Sequence, residues 1–221
     1  MKYRCVKCGH VVERLYIQYS PGNIRLVKCS NCMSVADEYI ECELMILMID
    51  LILHKPKAYR HLLFNLLHHK MLAINGLLLK SFFIFFILDA YKLWILNGNP
   101  QEWSIVSFGV RIFGHALLGN LVFLYSFYIL STKSLEFVEG FSSYKEVLLA
   151  IIVSCYLKVY MLAMMVWDFP SSVVYITDLF VMSSNLVALR VITKSSFERC
   201  IGVCLFAHAL KFFVHWLLHG L

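Results

Sequence analysis

Five apolar stretches dominate the chain beyond residue 71 and limit what it can fold into. They cover residues 72–96, 105–130, 147–169, 173–189 and 200–218. Each approaches the about 20 residues that an α-helix needs to cross the hydrocarbon core of a bilayer. With 60% hydrophobic and only 15% charged residues, the chain is too apolar for a soluble domain. We therefore predict a mainly α-helical membrane protein, with a transmembrane helical bundle over residues 71–221.

Charged residues within two of these stretches leave the number of spans open. Lys80 and Asp89 interrupt residues 72–96, so a re-entrant or interfacial hairpin is the alternative there. Residues 173–189 are few for a span and include Asp178. We predict about 4–5 transmembrane segments, with three as the lower alternative.

The distribution of Lys and Arg between loops predicts the orientation of the chain. If the N-terminus is cytosolic and five segments span, "NGNPQE", "PSS" and the C-terminal "HGL" lie on the opposite side and contain neither residue. Basic residues of the connecting segments then all fall on the cytosolic side, as the positive-inside rule requires: Lys133, Lys145, Arg190, Lys194 and Arg199. A cytosolic N-terminus also keeps its cysteines in a reducing compartment.

Four cysteines near the N-terminus form two knuckles, "CVKC" and "CSNC", in a C-x2-C-x20-C-x2-C array. This spacing lets two tight turns each aim two thiolates at one tetrahedral Zn2+. The predicted ligands are Cys5, Cys8, Cys29 and Cys32, with a disulfide or an iron site as alternatives. Four thiolates close the coordination shell, so the zinc would be structural.

The residues between and after the knuckles predict a small β zinc ribbon over residues 1–43. "VVERLYIQY" and "IRLVK" are β-branched and aromatic and flank the turn sequence "SPGN", which indicates a hairpin. "EYIECEL" is expected to add a third strand. The acidic "DEYIECE" offsets the basic residues of the ribbon, which argues against nucleic acid as a partner.

Residues 44–70 are predicted to be a juxtamembrane amphipathic segment at headgroup depth. An apolar run is broken at Pro56, and leucines then alternate with basic and histidine residues that suit an anionic lipid surface. The alternative is an amphipathic helix packed on its own zinc module.

Polar residues inside the apolar stretches suggest a polar path or a head-group pocket. The last stretch places one set of side chains on a single helical face: Cys200, Cys204, His208, Lys211, His215 and His219. In residues 105–130, Arg111 and His115 lie one turn apart. We predict that Arg111, His115, Lys211 and His215 contact lipid, with ion pairing and snorkelling as the alternative. The sequence shows no catalytic triad or phosphate loop, so we expect no enzyme.

Three stretches of the chain are specific enough to suggest a family. "YRCVKCGHVVERLYIQYSPGNIRLVKCSNC", "VADEYIECE" and "DLILHKPKAYRHLLFN" resemble the Arv family, the proteins called ACAT-related enzyme required for viability, over about residues 3–65. The resemblance assigns the zinc ligands to the same four cysteines. It places a second set of residues in the family's second block, for which we expect lipid or partner binding: Asp50, His54, Tyr59, Arg60, His61 and Asn65.

The resemblance also implies a function. The expected protein is a multi-pass endoplasmic-reticulum membrane protein of sterol transport and lipid homeostasis that supports glycosylphosphatidylinositol anchor assembly. Its expected partners are membrane lipids, namely sterol and glycolipid, and enzymes of the anchor pathway. A non-catalytic scaffold that stabilises a membrane glycosyltransferase of that pathway is the alternative.

Overall fold

The structure is a computed structural model of the 221-residue chain. It describes residues 3–67, 74–97, 105–138, 144–162, 167, 170 and 172–219. The chain forms two compact units, Met1–Ile74 and Asn75–Leu221. We refer to them as the N-terminal unit and the C-terminal unit.

Two short antiparallel pairs of strands form the first part of the N-terminal unit. Strand β1 (Tyr3–Arg4) pairs with β2 (Val11–Val12), and β3 (Tyr16–Ser20) pairs with β4 (Asn23–Leu26). The β3–β4 turn contains Gly22 at a φ of 83°, a conformation that glycine adopts without steric cost. The hairpin predicted around "SPGN" is therefore confirmed.

The predicted third strand is wrong. Residues Glu38–Ile40 form a short 3-10 helix, and an α-helix begins at Leu44. The Asp37 side chain accepts a hydrogen bond from the Tyr39 backbone N–H at 3.1 Å. This N-cap starts a helical turn where the β-branched and aromatic pattern had suggested an extended chain.

Two helices joined by a tight corner complete the N-terminal unit. Helix α1 (Leu44–Ile52) is followed by His54, whose φ of 56° is left-handed. The Lys55 N–H then donates to the Asp50 carbonyl at 3.0 Å. Helix α2 (Pro56–Arg60) begins with proline, which suits the first turn of a helix, and continues as a π-helix (His61–Leu67). The "HKP" sequence therefore makes the corner.

The C-terminal unit is helical. Its elements are α3 (Ile74–Asn97), α4 (Ile105–Ser134), α5 (Tyr144–Ser154) with a 3-10 continuation (Cys155–Leu162), α6 (Ser172–Ile192) and α7 (Phe197–His219). Helix α7 packs against α4 and α6, and α6 packs against α5 and its continuation. The chain is thus mainly α-helical with small N-terminal strands, as predicted.

Three helices among the described residues are long and apolar enough to cross a membrane: Val106–Ser134, Ser172–Ile192 and Phe197–Leu218. They correspond to the predicted segments 105–130, 173–189 and 200–218. Helix α3 is also long but carries Lys80, Asp89 and Lys92. The predicted segment 147–169 is α-helical only as far as Ser154 and then tightens to 3-10 geometry. A count of four or five spans is not confirmed.

Candidate functional site

The four cysteines of the two knuckles lie together in the N-terminal unit. Their sulfur atoms all fall within 4.8 Å of one another. Cys5 Sγ lies 3.7 Å from Cys32 Sγ, and Cys8 Sγ lies 3.7 Å from Cys29 Sγ. The fold therefore gathers four soft ligands from two distant parts of the sequence, and they could bind one metal ion.

The two knuckles share one backbone geometry. The Cys5 N–H donates to the His10 carbonyl at 2.9 Å, and the Cys29 N–H donates to the Ser34 carbonyl at 2.8 Å. Four residues after each of these cysteines the chain turns left-handed, at Gly9 (φ 76°) and Met33 (φ 57°). These turns bring both thiols of a knuckle to the same side of the loop.

The two thiols of the first knuckle have different pKa values because their surroundings differ. Burial raises the pKa of Cys5 to about 12. Burial also acts to raise the pKa of Cys8, but hydrogen bonds from the His10 backbone and the Asn31 side chain outweigh it and lower the pKa to about 6. Cys8 therefore offers a thiolate at neutral pH, whereas Cys5 must lose a proton when a metal binds.

Arg60 connects helix α2 to the first knuckle. Its Nη1 donates to the carbonyls of Val6 and Lys7, both at 2.9 Å, and these residues lie between Cys5 and Cys8. One guanidinium thus satisfies two carbonyls of the loop that carries the metal ligands. Helix α2 and the knuckle are consequently held as one structure.

A buried carboxylate ties the π-helix to the module. Asp37 is fully buried and accepts hydrogen bonds from His61 Nδ1 at 2.7 Å and Asn65 Nδ2 at 2.6 Å. Asn65 also pairs with Arg4, donating to its carbonyl and accepting from its N–H, both at 2.9 Å. Residues 61–67 therefore dock on strand β1 and on the chain after the second knuckle.

The other residues of the second block also make contacts inside this unit. Asp50 accepts hydrogen bonds from Tyr39 Oη and Lys55 Nζ, both at 2.7 Å, and these bonds, first that from Lys55, lower its pKa. Tyr59 is buried, and its ring stacks on His54. All six residues thus support the packing of the helices on the cysteine module, the alternative considered for residues 44–70. Their expected lipid or partner binding stays a prediction.

A second cluster of buried polar groups lies in the C-terminal unit. Asp89 accepts hydrogen bonds from Lys158 Nζ at 2.6 Å and from Lys211 Nζ at 2.5 Å. Lys211 also donates to Asn120 Oδ1 at 2.7 Å. These four buried side chains come from α3, the 3-10 segment, α4 and α7, so one ionic cluster connects four elements.

A cavity of about 320 Å³ adjoins this cluster. Polar residues of its lining include Lys92, Lys158, Asp178, His208, Lys211 and His215. Lys92 forms an ion pair with Asp178. Tyr175, Leu179 and Phe212 contribute an apolar part of the wall.

The structure separates the four lipid-contact residues predicted in the bundle. Lys211 and His215 line the cavity, whereas its described lining does not include Arg111 or His115. Of the predicted helical face, Cys200 and Cys204 are buried, and the side chain of His219 lies outside the described part.

Sequence reasoning missed several residues of both sites. It did not single out Asp37 or Asn120, and it treated Asp89 only as an interruption of an apolar stretch. The available signal was chemical, because an aspartate within an apolar stretch requires a partner. The sequence does not name that partner.

Comparisons with known proteins identify relatives of the chain. The profile of the Arv1-like family matches residues 4–189. "Protein ARV 2" of Arabidopsis thaliana is 45% identical over 217 residues, which cover 96% of this chain and 93% of that protein. "Protein ARV 1" of the same plant is 46% identical over 217 residues, which cover 96% of this chain and 87% of that protein. Human "Protein ARV1" is 28% identical over 200 residues, which cover 86% of this chain and 72% of that protein.

No solved structure matches the chain. The names of these relatives state no enzymatic activity. The family match extends beyond the cysteine module into the helices of the C-terminal unit. The chain is therefore a member of the Arv1-like family.

Proposed function

We propose that the chain acts in lipid homeostasis at the endoplasmic-reticulum membrane, without catalysing a reaction. In this proposal it mediates the distribution of sterol between membranes and supports assembly of glycosylphosphatidylinositol anchors. The observation that carries the proposal is membership in the Arv1-like family over residues 4–189. Three helices long and apolar enough to span a membrane support the membrane location.

We propose Zn2+ as the metal of the four-cysteine site. Zinc–thiolate bonds of about 2.3 Å in a tetrahedron place neighbouring sulfur atoms about 3.8 Å apart. The 3.7 Å separations of Cys5 from Cys32 and of Cys8 from Cys29 fit this geometry. Because four thiolates leave no position for water or substrate, the metal would stabilise the fold.

The N-terminal unit carries features that suit the cytosolic surface of a membrane. Apolar side chains of α1 and its corner are exposed: Leu44, Met45, Ile46, Ile49 and Leu53. Lys55 and Lys57 follow them along the chain, at the corner and on α2. An exposed apolar face next to lysines is typical of helices at the headgroup level of anionic lipid. This supports a cytosolic N-terminus.

The β3–β4 hairpin favours a second candidate function. Tyr16, Ile17 and Tyr19 of β3 are exposed. Exposed aromatic residues on a two-stranded hairpin offer a surface that another protein could cover. In this alternative the chain is a scaffold that stabilises a membrane glycosyltransferase of the anchor pathway.

One copurification experiment tests both functions. The full chain, its Cys5→Ser variant and the control Cys42→Ser would be purified in mild detergent, and the bound proteins and lipids identified by mass spectrometry. Cys42 is a suitable control because its thiol donates to the Glu38 carbonyl and belongs to neither knuckle.

Sterol or glycolipid retained without an enzyme partner would support direct lipid handling. An anchor-pathway enzyme that is lost with Cys5→Ser and retained with Cys42→Ser would support the scaffold. Purification of the native chain with none of these would contradict the proposed function.

A further inference from the structure

We propose that the cavity in the C-terminal unit binds the phosphodiester group of an anionic lipid. This inference deepens the proposed function, on which it rests, by naming the chemical class of the lipid. It follows from the balance of charge around the cavity, the hydrogen-bond donors there, and the exposed apolar surface beside it.

The buried ionic cluster carries more positive than negative charge. Lys158 and Lys211 share the single carboxylate of Asp89. The third lysine of the lining, Lys92, is paired with Asp178. Among the described residues of the cluster and the lining, three ammonium groups therefore face two carboxylates, with the histidines neutral. Within this described set, one positive charge has no counter-ion.

Aromatic rings near the lysines stabilise part of this buried charge through cation–π contacts. Lys158 Nζ lies 3.9 Å from the centre of the Phe85 ring, and Lys211 Nζ lies 5.0 Å from it. A cation–π contact recovers only part of the free-energy cost of burying an ion. The rings reduce the need for an anion but do not remove it.

Two of the lysines also have N–H donors that the described hydrogen bonds do not use. An ammonium group has three N–H donors, and in the described hydrogen bonds Lys158 and Lys92 each use one. Asn120 accepts from Lys211 but is not among the residues that line the cavity, so its amide is not counted among these donors. A phosphodiester brings one negative charge and several acceptor oxygens. A sterol hydroxyl brings acceptors without the charge, so it would not balance the cluster.

The shape of the site fits a lipid head group. A volume of about 320 Å³ accommodates a head group but not a whole lipid. Tyr175, Leu179 and Phe212 line the cavity and are also exposed on α6 and α7, two of the candidate membrane spans. Acyl chains can therefore extend along the outer surface of these helices while the phosphate group lies among the lysines.

Two substitutions remove the excess charge in opposite ways. Asn120→Asp adds a carboxylate beside Lys211 at nearly constant shape. Lys211→Met removes an ammonium and leaves Lys158 and Asp89 as a neutral pair. Lys145→Met is the matched control, because Lys145 is in the same unit, bonds to Asn75, and does not line the cavity.

The purified full chain and the three variants would be titrated in detergent with phosphatidylglycerol or phosphatidylcholine, and binding read by native mass spectrometry. We expect the native chain and Lys145→Met to bind phosphatidylglycerol in preference to the zwitterionic phosphatidylcholine. Asn120→Asp and Lys211→Met should each bind it about 30-fold more weakly. A melting temperature for each variant verifies folding, and if one variant misfolds the other decides.

Equal binding of the two lipids by the native chain overturns the inference, as does unchanged binding by either folded variant. An inorganic phosphate arm distinguishes the sources of the anion, since displacement of the lipid by millimolar phosphate would assign the site to a soluble phosphate instead. Because the copurification experiment reads sterol and enzyme partners separately, the proposed function can survive the failure of this site. The two failures are therefore distinguishable.

Discussion

Among the described residues, each unit of the molecule buries one aspartate almost completely, and the two aspartates have different partners. Asp37 in the N-terminal unit accepts from His61, Asn65 and a backbone N–H. Asp89 in the C-terminal unit accepts from two lysines. The first arrangement joins chain segments and is complete by itself. The second leaves a positive charge beside a cavity, so the same residue type completes the packing in one unit and adjoins our proposed ligand site in the other.

The largest effect is expected from removal of the metal, on which only the N-terminal unit should depend. Chelation, or Cys29→Ser, should unfold the N-terminal unit, because metal binding to four thiolates contributes on the order of 10 kcal/mol to folding. Hydrogen exchange in the full chain should then lose protection over residues 3–67 and keep it over α4. Cys42→Ser is the control. Equal loss of protection in both units would contradict the independence of the C-terminal unit from the metal.

The next largest effect is expected from removing the Asp89 carboxylate in the C-terminal unit. Asp89→Asn leaves two buried ammonium groups without a counter-ion, which should cost about 3–5 kcal/mol. Asp178→Asn should cost less, because Asp178 pairs with a single lysine and its side chain is 36% exposed. Thermal unfolding in detergent measures both variants. Similar melting temperatures for the two would show that Asp89 does not hold the cluster together.

A pair of glycines in α4 provides a test of packing. A Cβ on Gly119 would lie 2.5 Å from His215 Cε1, whereas a Cβ on Gly114 would meet nothing within 4 Å. Gly119→Ala should therefore destabilise the unit by about 1–3 kcal/mol, and Gly114→Ala should be neutral or stabilise it by up to about 1 kcal/mol. The melting temperature should fall for Gly119→Ala and should stay the same or rise for Gly114→Ala. A similar shift for both would mean that α7 does not pack against Gly119.

Arg60 tests how firmly the helices of the N-terminal unit are attached to the knuckle. Arg60→Lys keeps the charge but cannot reproduce the donor geometry of the guanidinium towards the Val6 and Lys7 carbonyls. We expect a loss of about 1 kcal/mol, seen as faster hydrogen exchange around Cys5–Cys8. Lys57→Arg, at an exposed position on the same helix, should change nothing. Unaltered exchange in Arg60→Lys would indicate that the metal alone holds the loop.

The smallest effect concerns pH. The hydrogen bond from Lys55, with that from Tyr39, keeps the pKa of Asp50 below its ordinary value in the folded chain. Its contribution is therefore present near neutral pH and is lost as the pH falls through the lowered pKa. Because Lys55 is half exposed, the amount is at most about 1 kcal/mol. The unfolding midpoint of Asp50→Asn, measured against pH, should lack this part of the loss of stability in acid. A pH profile identical to that of the native chain would exclude this contribution of Asp50.

Local chemistry was enough to predict several elements. The spacing of Cys5, Cys8, Cys29 and Cys32 identified the thiol cluster, since each knuckle is a turn within four residues. "SPGN" identified the hairpin because its turn residues directly join the two strands. Three apolar segments became long helices since a helix needs only its own backbone hydrogen bonds. The third strand was wrong because a side-chain cap started a helical turn there, and the predicted segment 147–169 is not confirmed as a span because its helix changes to 3-10 geometry after Ser154.

The sequence by itself determined which elements form and where thiols could gather. Only the tertiary structure decided which charges meet. Asp89 lies 69 residues from Lys158 and 122 from Lys211, and Asp37 lies 24 residues from His61. No local spacing encodes such pairs, because they depend on how helices pack and on the cost of burying a charge without a partner. That cost makes the clusters specific, and it becomes visible only when the elements are assembled.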